Sequence, residues 1–297
     1  MSALLQIEAL HLELPAARGW QPILRGVSLS LAPGQVLGLV GESGAGKTMV
    51  GKAVLGLQPE RARISEGAIR FAGQDITHWR DDKRRALLGR GMALIPQDPM
   101  SALNPVIRIE AQMTNVLRLH LDLDRRSARA RAFELLASVQ IRDPERVLRQ
   151  YPHELSGGMR QRILIAIAFA CRPKLIVADE PTTALDVTVQ RQILRLIKEL
   201  QANSGTALLF VTHDLGVVAK LCDWVGVIYA GRIVESAAVA EIFTRPRHDY
   251  TRALFAATPR YDRPADEVVP VPPALSRRLL AEAAAYDAAR AAQRGHA

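Results

Sequence analysis

The stretch Leu155-Ser156-Gly157-Gly158-Met159-Arg160-Gln161-Arg162 is the most informative feature of the sequence when it is taken together with its flanks. A glycine-rich loop, Gly41-Glu42-Ser43-Gly44-Ala45-Gly46-Lys47-Thr48, precedes it, and an apolar run that ends in Asp179-Glu180 follows it. Loops of this kind bind phosphate in many nucleotide-binding families, so the loop alone leaves the family open. The order of the three motifs sharply reduces the number of families that fit and predicts a nucleotide-binding protein.

The composition is that of a globular protein. With 297 residues, 48% of them hydrophobic, the chain can bury a sizeable core in one large or two small domains. Cys171 and Cys222 lie far apart and outside any metal-ligand spacing, which favours a reducing compartment over a disulfide or a cysteine-based metal site. Residues 1–17 show no secretory signal, and the longest apolar run, 163–171, is about half of what a membrane-spanning helix needs. We therefore expect a chain that does not itself cross a membrane.

The net charge of +9 is carried mainly by arginines. A basic balance can indicate nucleic acid or anionic lipid as a partner. Few aromatic residues are interleaved with these arginines, which favours solvated helix faces and predicts no nucleic-acid partner.

The pattern along the chain predicts an α/β fold with a helical insertion. The apolar stretch 36–40 reads as a buried strand that runs into the glycine-rich loop, and a helix follows from Lys47 to about Leu57. From 105 to 172 strand signals give way to helical periodicity. A turn is predicted at 19–22, short strands at 69–71 and 92–95, a hairpin over 225–235, a linker at 264–273 and a helix over 274–294. The predicted domains are an ATPase core with an N-terminal β-subdomain at 1–104 and 173–260, a helical subdomain at 105–172 that contains the Ser156-Gly157-Gly158 stretch, and a linker and tail at 261–297.

The glycine-rich loop has the residue types that cradling a phosphate requires. Glycines let backbone N–H groups converge on phosphate oxygens, and the helix that follows adds the positive end of its dipole. Lys47 is expected to reach the β- and γ-phosphates, and Thr48 to ligate Mg²⁺. The alternative, a chance glycine-rich turn, fits poorly with a loop between a buried strand and a helix.

Two carboxylates end the apolar run 175–178. Asp179 is expected to hold Mg²⁺ through water, and Glu180 to polarise the attacking water as general base. Taken alone, the pair would be read as N-cap acids, but a preceding phosphate loop favours the catalytic interpretation.

Ser156-Gly157-Gly158 opens a helical stretch. Small residues at a helix N-terminus leave N–H groups accessible to an anion. Because the chain already has one phosphate loop, a second anion site calls for a second phosphate, and the simplest source is the ATP of a partner subunit. An ordinary capped helix start is the alternative.

Together these motifs make the chain resemble the nucleotide-binding subunit of an ABC transporter, over residues 4 to about 259. Leu155–Gln161 is similar to the family signature, with Met159 where many members have glutamine. The resemblance implies a P-loop NTPase with a RecA-like core, an N-terminal antiparallel β-subdomain and an inserted α-helical subdomain. It also assigns roles by motif: Gln97 as the Q-loop glutamine near Mg²⁺ and water, Asp186 in the D-loop 184–186, His213 as the switch histidine, and Trp20 as the adenine-stacking aromatic.

Two further stretches resemble the oligopeptide/dipeptide/nickel importer branch of that family: 97–105, and 248–254 with 257–259. Residues 151–154 and Met159 are similar to the first of the two ATPases that such importers carry. The resemblance implies a heterodimer with a second ATPase, two transmembrane permease subunits, an extracytoplasmic solute-binding protein, and a place on the cytoplasmic face of a bacterial inner membrane. No cysteine follows Cys222, so no iron–sulfur cluster is expected in the tail.

The predicted function is ATP hydrolysis, with ATP and Mg²⁺, that energises import of di- or oligopeptides. A nickel or metallophore importer of the same branch is the alternative. A soluble ABC ATPase acting on nucleic acid or the ribosome is disfavoured because the chain has one cassette, a short insertion and no zinc cysteines. A non-catalytic regulatory subunit is disfavoured because Glu180 and His213 are both present.

Overall fold

A computed structural model describes residues 3–17, 19–183, 185–258 and 270–294. The chain divides into two compact units, Met1–Trp79 with Val211–Ala297, and Arg80–Phe210. The first unit combines both ends of the chain, whereas the second is one continuous segment. The domain boundaries predicted from the sequence stay a prediction.

The described ranges contain both strands and helices. The strands are β1 (Leu5–Pro15), β2 (Trp20–Leu31), β3 (Val36–Val40), β4 (Arg63–Phe71), β5 (Gln74–Asp75), β6 (Met92–Ile95), β7 (Leu175–Asp179), β8 (Ala207–Thr212), β9 (Trp224–Tyr229) and β10 (Arg232–Ala238). The helices are α1 (Lys47–Leu55), α2 (Asp81–Arg85), α3 (Pro99–Ala102), α4 (Ile109–Leu121), α5 (Arg125–Ser138), α6 (Pro144–Arg149), α7 (Gly157–Phe169), α8 (Val187–Ser204), α9 (Leu215–Leu221), α10 (Val239–Thr244), α11 (Asp249–Ala256) and α12 (Pro273–Arg294).

An antiparallel sheet in the first unit has the strand order β2-β1-β4-β5. Leu5 of β1 pairs with Leu31 of β2 on one side and with Phe71 of β4 on the other. Leu10 and Leu12 of β1 are completely buried, so the sheet has its own apolar face. This sheet confirms the expected N-terminal antiparallel β-subdomain.

The same unit contains the strand from which the phosphate loop starts. All five residues of β3 are buried, which explains the continuously apolar sequence of this strand. β3 runs parallel to β9, and β9 turns back into β10 as an antiparallel hairpin, as predicted. The turn at Ala230-Gly231 uses positive φ angles of 45° and 76°.

The second unit contains the helical stretch. β6 and β7 run parallel, with Met92 opposite Leu175. Residues 105–172, all of which the structure describes, contain helices α4 to α7 and a short 3₁₀ helix at Pro152–Glu154 but no strand. The loss of strand signals in this part of the sequence is therefore confirmed.

The C-terminal helix α12 packs on the antiparallel sheet. Its Tyr286 hydroxyl lies 2.8 Å from Nε2 of His11, and the two rings stack. Asp287 accepts a hydrogen bond of 2.9 Å from Arg25 Nε in β2. The helix predicted for the tail is confirmed, while residues 259–269, which include most of the predicted linker, lie outside the described residues.

Two local predictions are wrong. Residues 20–22 of the turn predicted at 19–22 are already in β2, since Trp20 pairs with Pro15, whereas Gly19 lies in the turn that precedes the strand, where the Ala16 N–H donates to Gly19 O. β4 begins at Arg63 rather than near residue 69, because pairing with β1 extends the strand through polar residues. Within the described ranges, no helix has both the length and the apolar character needed to cross a membrane.

Candidate functional site

The glycine-rich loop joins the end of β3 to the start of α1. Gly46 adopts φ 103°, in the left-handed region that glycine reaches without strain. A Cβ on Gly41 would lie 2.2 Å from the carbonyl oxygen of Ile228 in β9, so a larger residue would force the backbone to shift. A Cβ on Gly44 would meet nothing within 4 Å, which shows that the tip of the loop faces open space. The backbone thus has the shape of a phosphate cradle, in the context that the sequence predicted.

Lys47 lies at the start of α1 with its side chain inside the loop. It is only 4% exposed, and its Nζ donates to the carbonyl oxygens of Gly41 at 2.9 Å and Glu42 at 3.0 Å. These contacts hold a positive charge within the loop at a helix N-terminus. Both features favour an anion, so the residues present fit a bound phosphate group.

Tyr250 supports the loop from the protein interior. Its hydroxyl accepts a hydrogen bond of 3.3 Å from the Glu42 N–H, and its side chain is completely buried. Burial chiefly raises the pKa of the Tyr250 phenol, the Glu42 N–H opposes this, and the Glu42 carboxylate and Tyr229 add to the rise. In the sequence, Tyr250 belongs to the stretch 248–254 that resembles the importer branch, and no role was predicted for it.

Trp20 lies at the start of β2, and 42% of it is exposed. The Arg63 guanidinium lies 3.8 Å from the ring centroid, a cation–π contact that covers one face of the indole. Arg63 is held in turn by Glu13, and Glu13 also contacts Arg290 of α12. Adenine stacking by Trp20 stays a prediction, and the Arg63 contact is a feature that the sequence did not reveal.

His213 is the remaining predicted site residue of the first unit. It directly follows β8 and is exposed. Asp214 then caps α9 by accepting the N–H groups of Gly216 at 2.8 Å and Val217 at 3.2 Å. This cap fixes the backbone on the C-terminal side of the histidine.

The second unit brings Gln97 and Glu180 together. Asp179 is the last residue of β7 and is buried, and Glu180 follows with φ 44°, an uncommon conformation for a residue with a side chain. Oε2 of Glu180 accepts hydrogen bonds from Gln97 Nε2 at 3.4 Å and from Thr183 Oγ1 at 2.9 Å. Unlike Gln97, Thr183 was not among the site residues predicted from the sequence.

The segment that follows Gln97 is ordered by its own cap. Asp98 accepts the Met100 N–H at 2.7 Å and begins α3. This hydrogen bond is the main reason why the pKa of the Asp98 carboxyl lies below its usual range. The segment therefore begins with the short helix α3 rather than with an irregular loop.

Ser156 begins α7 as its N-cap. Its Oγ accepts the Met159 N–H at 3.3 Å, which agrees with the reading of this stretch as a capped helix start. A Cβ on Gly157 would meet nothing within 4 Å, so the first turn of the helix is also open to an incoming group. Asp186 caps α8 by accepting the Val189 N–H at 2.9 Å, and Ala184 of the predicted D-loop lies outside the described residues.

The phosphate cradle and the carboxylates after a buried strand define the class: a P-loop nucleotide-binding ATPase. Residues 24–183 match the model of the ABC transporter family, and residues 234–282 match the model described as "Oligopeptide/dipeptide transporter, C-terminal region". The chain belongs to the ABC transporter family of ATP-binding proteins, in its oligopeptide/dipeptide branch.

Curated relatives agree over most of the chain. The probable D,D-dipeptide transport ATP-binding protein DdpD of Escherichia coli K12 is 46% identical over 269 residues, covering 90% of this chain and 82% of that protein. The oligopeptide transport ATP-binding protein OppD of Bacillus subtilis is 44% identical over 268 residues, covering 90% of this chain and 75% of that protein. The family resemblance inferred from the motifs is thereby confirmed.

The fold is confirmed independently. A dimeric structure of the ATP-binding cassette MJ0796, in a post-hydrolysis state bound to ADP and Pi, superposes with a TM-score of 0.71 at 24% identity. It covers 79% of this chain and 98% of the other. At this identity the likeness establishes the ABC cassette fold alone.

Proposed function

We propose that this chain hydrolyses ATP to drive import of di- or oligopeptides, as one of the ATP-binding subunits of a membrane transporter. The principal support is the buried Lys47 ammonium inside a glycine cradle, in a chain that belongs to the oligopeptide/dipeptide branch. The relatives described above are named as peptide transport proteins, and neither is named for nickel. A nickel or metallophore importer is therefore the less supported alternative.

ATP binding is assigned to the phosphate loop. Backbone N–H groups between Glu42 and Gly46 face the phosphates, except those, such as the Glu42 N–H, that already donate a hydrogen bond within the protein. Lys47 neutralises charge on the β- and γ-phosphates. Trp20 stacks on the adenine with the indole face that Arg63 does not cover. Positioning and electrostatic stabilisation, rather than covalent chemistry, then account for most of the rate enhancement.

Glu180 acts on the attacking water. The carboxylate accepts the water's proton as the water adds to the γ-phosphorus, and the bond to the bridging oxygen of ADP breaks. Gln97, which donates to Glu180, orients the same carboxylate and water. His213 contacts the γ-phosphate and loses this contact when the γ-phosphate is absent.

Mg²⁺ fits the donor types at the proposed positions. The Thr48 hydroxyl, the Gln97 side-chain oxygen and the Asp179 carboxylate are all oxygen donors, which Mg²⁺ prefers. These three residues would hold the ion, which would neutralise charge that develops on the β- and γ-phosphate oxygens.

The site is completed by a second ATPase subunit. The open first turn of α7 at Ser156-Gly157-Gly158 binds the γ-phosphate of ATP held by the partner, and Asp186 lies at the same interface. We assign the partner as a related, non-identical ATPase. Two transmembrane permease subunits and an extracytoplasmic solute-binding protein complete the transporter, and the chain lies on the cytoplasmic face of a bacterial inner membrane. The tail is assigned no iron–sulfur cluster.

The test of this function compares two lysines on the same helix. Lys47→Ala removes the buried ammonium, whereas Lys52→Ala removes an exposed lysine one turn further along α1. ATP binding to the full chain, measured by titration calorimetry, is expected to be lost in Lys47→Ala and retained in Lys52→Ala. Tight ATP binding by Lys47→Ala would contradict the assignment.

The substrate class needs a transport assay. Cells that lack the gene are supplied with the wild-type chain or with Lys47→Ala, and uptake of a labelled dipeptide and of labelled Ni²⁺ is followed. Restoration of dipeptide uptake by the wild type alone supports peptide import, whereas restoration of Ni²⁺ uptake instead would establish the alternative.

A further inference from the structure

The peptide unit that joins Gly41 to Glu42 is held from two sides. Its carbonyl oxygen, on Gly41, accepts a hydrogen bond of 2.9 Å from Lys47 Nζ. Its N–H, on Glu42, donates to the Tyr250 hydroxyl at 3.3 Å. Because these two groups belong to one planar unit, rotating the unit away from one partner also displaces the group that faces the other. A change in the position of the Tyr250 hydroxyl is therefore expected to change the position of the Lys47 ammonium.

The same peptide has little room to move toward the protein interior. A Cβ on Gly41 would lie 2.2 Å from the Ile228 carbonyl oxygen, so the loop backbone already lies against β9. With β9 behind it and Lys47 on its carbonyl side, the peptide unit is held on its N–H side by the hydrogen bond to Tyr250.

Tyr250 is itself immobilised by its surroundings. Its side chain is completely buried in α11, and its ring lies 4.6 Å from the ring of Tyr229 in β9. The hydroxyl is thus presented to the loop from a packed, fixed position.

We propose that Tyr250 is a positioning residue for ATP binding: through the Gly41–Glu42 peptide, it sets the orientation in which Lys47 meets the nucleotide phosphates. The inference rests on the proposed ATPase function. Tyr250 lies within residues 234–282, which match the C-terminal region of oligopeptide/dipeptide transporters. This region therefore supports the nucleotide site of its own chain, in addition to any role that it has elsewhere.

The test removes one hydroxyl at a time from the two packed tyrosines. Tyr250→Phe deletes the acceptor for the Glu42 N–H, whereas Tyr229→Phe deletes a hydroxyl that donates to Ser276 O in the C-terminal part of the chain. Loss of one neutral hydrogen bond predicts an increase of about three- to ten-fold in the Kd of the full chain for ATP in Tyr250→Phe. Tyr229→Phe is expected to keep the wild-type Kd, and thermal denaturation without nucleotide shows whether both variants remain folded.

Steady-state kinetics separate a positioning role from a general loss of structure. In the assembled transporter, Tyr250→Phe is expected to raise the KM for ATP while kcat changes less than about two-fold, since the hydroxyl does not touch the reacting atoms. A wild-type Kd in Tyr250→Phe, or an equal increase in Tyr229→Phe, would overturn the proposal.

A measurement on the wild type does not depend on the variants. Hydrogen exchange of the Glu42 amide is expected to be slow without nucleotide, because the N–H is bonded to a buried hydroxyl. Exchange at the rate of an unprotected amide would overturn the proposal. If Lys47→Ala binds ATP tightly, the proposed function itself fails; if that variant loses ATP and Tyr250→Phe does not weaken binding, only the positioning role fails.

Discussion

Arg290→Met tests how firmly the C-terminal helix is attached to the antiparallel sheet. Arg290 is 11% exposed and bonds Glu13 at 3.2 Å, Glu66 at 3.0 Å and the Ser65 hydroxyl at 3.0 Å. Methionine retains the apolar stem and removes the charge. Breaking a buried ion pair costs about 3–5 kcal/mol when the remaining charge is left alone. Arg63 stays on Glu13 at 2.8 Å, so we expect a smaller loss, about 2 kcal/mol.

The assay is thermal denaturation of the full chain without nucleotide. A loss of this size lowers Tm by about 4–8 °C for a chain of several hundred residues. Arg278→Met is the matched control on the same helix, because the Arg278–Asp249 pair is about half exposed and pairs of that kind contribute little. The Arg290 effect should persist at high salt, since the Glu13 carboxylate is buried. Equal Tm values for the two variants would show that the buried Arg290 contacts contribute no more to stability than the exposed Arg278 pair.

Three further outcomes are expected. Gly41→Ala places a Cβ 2.2 Å from Ile228 O, so the loop must shift, and calorimetry should find ATP affinity reduced at least about ten-fold; wild-type affinity would show that the loop adapts. Glu180→Gln should lower ATP hydrolysis by the assembled transporter by about 10²-fold or more while ATP binding is retained, and near-normal turnover would remove Glu180 from the role of base. Burial raises the pKa of the Cys222 thiol to about 12, so iodoacetamide at about pH 8 should label this cysteine only after unfolding, and labelling of the native chain would contradict its burial.

The sequence predicted those parts of the site that depend on local pattern. A buried strand, a glycine loop and a helix follow one another at 36–57, and their order alone indicates the cradle. The helical stretch at 105–172 and the β9–β10 hairpin are likewise visible from periodicity and turn residues. In each case the prediction depends on residues that are neighbours within one helix, strand or turn.

The features that the sequence did not reveal depend on contacts between distant residues. Tyr250 reaches Glu42 across 208 positions of the chain, and no local pattern marks a tyrosine as a support for a loop. The contact between Arg63 and Trp20 follows from strand pairing, which also explains why β4 begins earlier than predicted and why residues 20–22 belong to β2. A register between strands is set by packing of the whole sheet rather than by the residues of one strand.

In the transporter that we propose, this chain contributes half of each of two composite ATP sites. Ser156→Arg places a long charged side chain at the open first turn of α7 and leaves the phosphate loop of its own chain unchanged. In the assembled transporter, we expect ATP hydrolysis to fall at least about ten-fold, while the Kd of the isolated variant chain for ATP stays at the wild-type value. Normal hydrolysis by that transporter, or loss of ATP binding by the isolated chain, would contradict the claim.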